Sequence, residues 1–156
     1  MTVPGDFLFW YKAKVVNVVD GDTLDLRTDL GFRITFLQRY RLYGVDTPEL
    51  NDPDPAVRAR AMQAKDFVEV LVKGKEVMVN THMDRRDKYG RWLAVVYWRD
   101  PEGGWQNLNE DLVANGLAAP LRPDSPISTH QGQHSSTRDR GARPRGRGGR
   151  RLRREE

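Results

Sequence analysis

Three short segments hold the side chains that could do chemistry. Asp20-Gly-Asp-Thr23 puts two carboxylates in one turn. Arg41-Leu-Tyr-Gly-Val-Asp-Thr-Pro-Glu49 places a guanidinium, two carboxylates and a threonine within nine residues, and Asp87-Lys-Tyr-Gly-Arg91 adds a second arginine and a tyrosine. Hard cations such as Ca²⁺ take oxygen donors from carboxylates, carbonyls and water. Asp22 and Asp46 could hold such an ion, with the backbone carbonyl of Thr47 as a third donor. Arginine pairs bidentately with phosphate oxygens. A cation flanked by Arg41 and Arg91 would therefore suit the charge that builds on a phosphodiester under attack. Glu49, close by in sequence, would orient or deprotonate the attacking water. Taken singly, the same residues read as ordinary structure. Asp20 and Asp22 suit a hairpin turn, Arg41 and Arg91 suit surface ion pairs worth little, and Lys88-Tyr-Gly-Arg91 suits a connection between strands. Their joint occurrence, in this order, favours a site.

The central segment has a geometric demand of its own. Side chains alternate faces along a strand, so Arg41 and Asp46, five apart, would point to opposite faces. They share a site only if the strand bulges or ends between them, and Gly44 stands there as a bend residue. Thr47 precedes Pro48, which pushes its backbone toward extended geometry, and Pro48 itself has a fixed φ. A rigid turn is expected from Asp46 to Glu49, aiming two carboxylates in set directions.

The elements that must position these groups follow from periodicity. Residues 10–19 are rich in aromatic and β-branched side chains and predict a strand. Asp20-Gly21 is a hairpin signal, residues 24–27 resume the strand, residues 28–31 turn, and residues 32–45 predict a third strand. Residues 56–73 predict a helix from the recurrence of Ala59, Met62, Ala64, Phe67, Val70 and Leu71, with Gly74 as its stop. A fourth strand is expected over 76–81, a charged loop over 83–90, a fifth strand over 91–98, and a short helix over 108–115 capped by Gly116. The order βββ-α-ββ-α fits a mainly β, α+β architecture: a five-stranded Greek-key barrel of oligonucleotide-binding type. Periodicity alone also allows an open α+β sheet.

Composition bounds the rest. The chain has 156 residues, no cysteine and a net charge of +4, so disulfide frameworks and thiolate metal sites are excluded. The charge is unevenly spread. Residues 1–122 hold 17 basic and 18 acidic side chains, and residues 123–156 hold nine arginines and four acids. The expected division is a domain over 1–122 and a disordered Arg/Gly-rich tail over 123–156, which lacks the apolar residues to offset its ordering entropy. Such a tail suits contact with a nucleic-acid backbone through counterion release. No signal-peptide pattern and no run of about 20 apolar residues is present, so no membrane association is expected; the compartment is left open, with the cytoplasm as default and non-classical release or a phage or mobile-element origin as alternatives. His82, His130 and His134 carry no catalytic expectation. The tryptophans are read as packing residues.

Together the three segments, with Asn-x-x-Leu-Val-x-x-Gly-Leu-Ala over 109–118, resemble the staphylococcal nuclease (thermonuclease) family across roughly residues 12–120. The resemblance implies an oligonucleotide-binding barrel and Ca²⁺-dependent hydrolysis of DNA and RNA by a monomer, cutting the 5′ P–O bond to leave 3′-phosphate ends. By residue match, Asp22 and Asp46 would be side-chain metal ligands and Thr47 would lend its carbonyl. Glu49 would be the general base, Arg41 and Arg91 the phosphate-contacting arginines, and Lys88 and Tyr89 would lie beside the nucleotide phosphate. Every one of these positions carries the family's residue type, which argues against a degenerate copy that only binds. The rival is a non-catalytic nucleic-acid- or protein-binding module of the same fold. Three departures stand out. The family's tyrosines after the second helix have no counterpart in Ala118-Ala-Pro-Leu-Arg-Pro123, its final helix is interrupted by prolines, and the hairpin between Asp22 and Arg41 is longer.

Overall fold

The structure, a computed structural model, describes residues 8–87 and 89–121. Lys88 and the arginine-rich segment lie outside the described residues. Strands β1 (Trp10–Asp20), β2 (Thr23–Asp29) and β3 (Thr35–Leu42) form an antiparallel meander. The chain then makes a short β4 (Val45–Asp46) and helix α1 (Pro55–Val72) before β5 (Glu76–Arg86) and β6 (Trp92–Arg99). β5 pairs antiparallel with both β1 and β6. A parallel seam joins β3 to β6 through Tyr40↔Trp92, Arg41↔Leu93 and Leu42↔Ala94, closing the five strands into a mixed barrel. Outside it, β7 (Trp105–Asn107) extends β6, α2 (Leu108–Ala114) follows, and β8 (Ala119–Pro120) pairs with β4. The expected barrel with one helix between strands and one after is present. Among the described residues no helix is long and apolar enough to cross a membrane.

The core is the inward row of each strand. Val15, Val18, Leu24, Leu26, Leu42, Val77, Val79, Ala94 and Val96 are buried there, each contributing on the order of 1–3 kcal/mol of apolar burial. The row in β1 steps from Ala13 and Val15 to Val18 because the ladder slips between Val15 and Asn17. Val16 is the extra residue of this bulge and is 43% exposed on the outer face. Bulges re-aim side chains in this way, often beside functional sites.

Helix α1 starts at Asp54, whose side chain accepts from the amide of Ala56, with Pro55 in the first turn. Its buried line is Ala61, Ala64, Val68 and Val72. The expected stripe is thus only partly in phase: Ala64, Phe67 and Leu71 face the core, whereas Met62 is 47% and Val70 76% exposed. The last turns carry apolar residues on almost every side, so periodicity does not fix which face turns inward. Packing does. A Cβ on Gly21 would stand 2.7 Å from the Ala64 Cβ and 2.9 Å from Thr47 Cγ2, so only small residues fit where the helix meets the β1–β2 turn. Gly21 also lies outside the positive-φ glycines. Close approach, rather than left-handed geometry, is what requires glycine there.

Other strand limits also differ. β3 begins at Thr35 because Phe32 and Arg33 take left-handed φ values of 53° and 63°, and it ends at Leu42 because Gly44, at 76°, reverses the chain. β5 runs to Arg86, pairing Arg86 with Trp92 after an irregularity, so the expected charged loop shrinks to a tight turn around Tyr89 and Gly90.

The buried amide of Asn109 locks the seam. Its Oδ1 accepts from Val96 N at 3.1 Å, and its Nδ2 donates to Tyr43 O at 2.9 Å and Ala94 O at 3.2 Å. Asn107 caps the same helix from outside. Asn109→Ala strands Val96 N and Tyr43 O, while Ala94 O keeps the Tyr43 amide at 2.8 Å, and is expected to lower the unfolding free energy by about 3 kcal/mol. Urea denaturation measures it, and a loss below about 0.5 kcal/mol would show that water replaces the amide at little cost.

Candidate active site

Arg41 sits next to last in β3, opposite Thr23 on one side and Leu93 on the other. Leu42 N donates to Asp22 O at 2.8 Å, which binds the β1–β2 turn to the same strand end. Gly44 then turns the chain, so Val45 and Asp46 come back over the guanidinium. Arg41 Nη1 donates to Asp22 Oδ2 at 2.8 Å, and Nη2 donates to Asp46 Oδ1 at 2.7 Å and Val45 O at 3.2 Å. The strand ends between Arg41 and Asp46, as the spacing required, and one guanidinium holds both carboxylates. Thr47, 5% exposed, donates its amide to Asp22 Oδ2 at 3.1 Å. β8 backs the segment from outside through Asp46↔Ala119, and Leu121 N donates to Gly44 O at 2.8 Å. The residues standing where the family has tyrosines thus support Asp46 with backbone.

The second arginine arrives through Thr23. Thr23 Oγ1 donates to Asp22 Oδ1 at 3.0 Å and accepts from Arg91 Nη1 at 3.1 Å. The polarity is forced: a guanidinium only donates, so the single hydroxyl proton is left for Asp22. Asp87 fixes Arg91 from behind. Its Oδ2 meets Arg91 Nε at 2.7 Å and Nη2 at 2.6 Å, and its Oδ1 takes the amides of Tyr89 and Arg91, each at 2.9 Å. A continuous polar chain runs Asp46–Arg41–Asp22–Thr23–Arg91–Asp87. Sequence reasoning found Asp22, Arg41, Asp46 and Arg91 but not Thr23 as the bridge or Asp87 as the clamp. Each neighbours a chosen residue, Thr23 directly after Asp22 and Asp87 four before Arg91.

The electrostatics are set by burial. Arg41 loses solvation, which works against its charge, but Asp22 and Asp46 outweigh that and hold its pKa above the ordinary arginine value. Asp20 accepts from Asp22 N at 3.1 Å. Burial first, then the neighbouring charge of Asp22 and a hydrogen bond with it, push Asp20 from 3.8 up to about 6. Asp20 is thus half-buried beside the charge of a buried carboxylate.

Two further expected site residues lie outside this polar chain. Glu49 is exposed, and among the described residues its carboxylate has no ion-pair partner. Tyr89 is 70% exposed, with the Arg91 Cζ 5.3 Å from its ring centroid. Among the described residues no group of three or more His, Asp or Glu side chains is placed to hold a metal ion. A smaller donor set is present. Arg41 grips Asp22 and Asp46 through one oxygen each, leaving Asp22 Oδ1, beside the Thr23 hydroxyl, and Asp46 Oδ2. Oxygen donors next to a crowded, desolvated carboxylate pair fit a hard cation.

A model of the staphylococcal nuclease homologue family matches residues 39–148. The chain belongs to that family. It is 35% identical over 105 residues to the thermonuclease of Staphylococcus hyicus, covering 67% of this chain and 56% of that protein. It is 39% identical over 113 residues to endonuclease YncB of Bacillus subtilis strain 168, covering 69% and 49%. It is 34% identical over 113 residues to the micrococcal nuclease of Shigella flexneri, covering 69% and 57%. The chain spans about half the length of these curated relatives.

In this staphylococcal nuclease homologue the crowded pair gives a pH signature. Between its unfolded value of 3.8 and its folded value of about 6, Asp20 binds more protons in the native state than in the unfolded chain. Its contribution to stability is therefore full below pH 3.8, falls as pH rises to about 6, and is flat above that. Asp20→Asn removes this dependence. Without metal, the variant is expected to exceed the parent in stability by on the order of 1–2 kcal/mol at pH 7, with the gap shrinking toward pH 4. Thermal unfolding in a chelator across that range measures it, and a gap independent of pH would contradict the raised pKa.

Proposed function

We propose that this protein is a calcium-dependent nuclease that hydrolyses phosphodiester bonds in DNA and RNA. The observation that carries the reading is the polar chain: one guanidinium, Arg41, grips the buried Asp22 directly, a second, Arg91, reaches it through the Thr23 hydroxyl, and each is also held by another acid. Guanidiniums immobilised before substrate arrives need little reorganisation when charge builds on a phosphoryl group. The nuclease names of the relatives point the same way.

Asp22, Asp46 and the Thr47 carbonyl would hold the cation, which when bound lends Lewis-acid stabilisation to a phosphoryl oxygen. Arg41 and Arg91 bind and orient the scissile phosphate from two sides, and Thr23 keeps the Arg91 head turned toward Asp22. Glu49, exposed and close in sequence to Asp46, accepts the proton of the attacking water or aligns it. On this reading the 5′ P–O bond is cut, leaving 3′-phosphate ends, as the family resemblance implies. A second reading, a non-catalytic binding module, draws on one observation: Arg41 already occupies an oxygen of each carboxylate.

Digestion of single-stranded DNA with calcium separates the two. Arg91→Ala is expected to lower the cleavage rate by roughly 10²–10³-fold. Thr23→Val is expected to fall between Arg91→Ala and the parent, and Thr23→Ser to stay near the parent. Wild-type rates in Arg91→Ala, or no cleavage by the parent with calcium, reject the assignment.

The donor set also predicts coupling. Two carboxylates and a carbonyl leave most of the about six to eight positions of Ca²⁺ to water and substrate. Calcium is expected to bind weakly alone and more tightly with a nucleoside bisphosphate present, and Mg²⁺ to bind without comparable turnover. Calorimetric titration with and without the nucleotide tests it; equal calcium affinities would contradict the shared site.

A further inference from the structure

Next to Arg91 the outer face of the barrel carries an open groove of about 420 Å³. Val16, Leu37 and Tyr89 supply its apolar surface, and Arg39 and Asp25 stand at its edge. Val16 is 43%, Leu37 53% and Tyr89 70% exposed. Single exposed apolar side chains are common on any surface, but these three come from β1, β3 and the turn before β6 and border one depression. Val16 is there because the β1 bulge turns it outward. Arg39 is fixed by Asp25, with Nε to Oδ1 at 2.7 Å and Nη2 to Oδ2 at 3.0 Å. Its Nη1 has no hydrogen-bond partner among the described residues.

We infer that this groove is a subsite for a nucleobase of a single strand, that of the nucleotide adjoining the scissile phosphate. The inference rests on the nuclease reading and adds a place for the substrate beyond the reacting group. Two features select a base over a second phosphate. The cation on the side of the groove away from Arg91, Arg39, is paired with Asp25 through both carboxylate oxygens, so among the described residues that side offers little net attraction to a second anion. Its surface instead suits a flat ring, with aliphatic and aromatic contact and the open Nη1 edge of Arg39 for an acceptor on the base. Arg91 belongs to both places: its Nη1 reaches Thr23 in the site, and its guanidinium lies over the Tyr89 ring that borders the groove. A phosphate on Arg91 would leave its neighbouring base beside Tyr89 and Leu37. Bases already stacked in a duplex cannot enter, so the subsite favours single strands.

The test is a double-mutant cycle between protein and substrate, read in chelator by fluorescence anisotropy with a short single-stranded oligonucleotide. Leu37→Glu, and separately Val16→Glu, are expected to weaken binding by roughly tenfold; with calcium they raise KM rather than lower kcat. Val70→Glu, another exposed apolar position, on α1, is the control and changes neither. In the parent, removing one base beside the preferred cleavage position is expected to cost the same factor, and in Leu37→Glu it is expected to cost almost nothing more. Equal losses on the abasic strand in parent and variant overturn the subsite while leaving the nuclease reading intact. A parent that neither binds nor cleaves any strand overturns both.

Discussion

The structure depends on one buried carboxylate. Asp22 is 3% exposed and takes hydrogen bonds from Arg41, from the Thr47 amide and from the Thr23 hydroxyl. An anion removed from water is costly unless it is paired and hydrogen-bonded on most sides. Four stretches of chain must converge to meet that demand: the β1–β2 turn, the end of β3, the segment after β4 and, through Thr23, the turn before β6. The fold around them can be understood as the means of holding those stretches in contact. Close packing of Gly21 against Thr47 and Ala64 brings the turn down, Gly44 folds the chain back, and Asn109 fastens the seam beside it.

Buried ion pairs such as those around Asp22 are weak evidence of added stability. Replacing buried ion pairs by apolar side chains is often neutral or stabilising. Here the arginines are ordered by acids whose visible contacts serve mainly to aim them. Asp87 commits both oxygens to Arg91 and nearby amides, and Asp25 grips Arg39 with both of its own. Side chains given over to orientation in this way are characteristic of places where geometry at a reacting centre matters more than cohesion.

Much of this was legible in the sequence, and what was not has a common cause. Alternating apolar residues and turn signals marked the strands that form the barrel, and the spacing of Arg41, Gly44 and Asp46 predicted that the strand had to end between them. The phase of α1 was hidden because Phe67, Val68, Val70, Leu71 and Val72 surround the helix, and only the small residues at 61 and 64 tell which side lies against the turn. The extra residue at Val16 was hidden because a run of valines reads the same with or without a slip in register. Thr23 looked like a turn residue until the seam brought Arg91 to it across the barrel. Local pattern reveals elements; it does not reveal which side chain will stand between two elements that meet only in three dimensions.

The seam between β3 and β6 joins residues far apart along the chain through only three paired positions, Tyr40↔Trp92, Arg41↔Leu93 and Leu42↔Ala94. Contacts of such long sequence separation carry a large loop-closure cost and tend to form late in folding. Both arginines exist in a chain that has not yet closed, but they do not face the same carboxylate. Until β6 docks on β3, Arg41 and Arg91 are therefore held on separate pieces of chain, and the polar chain between them exists only in the closed barrel.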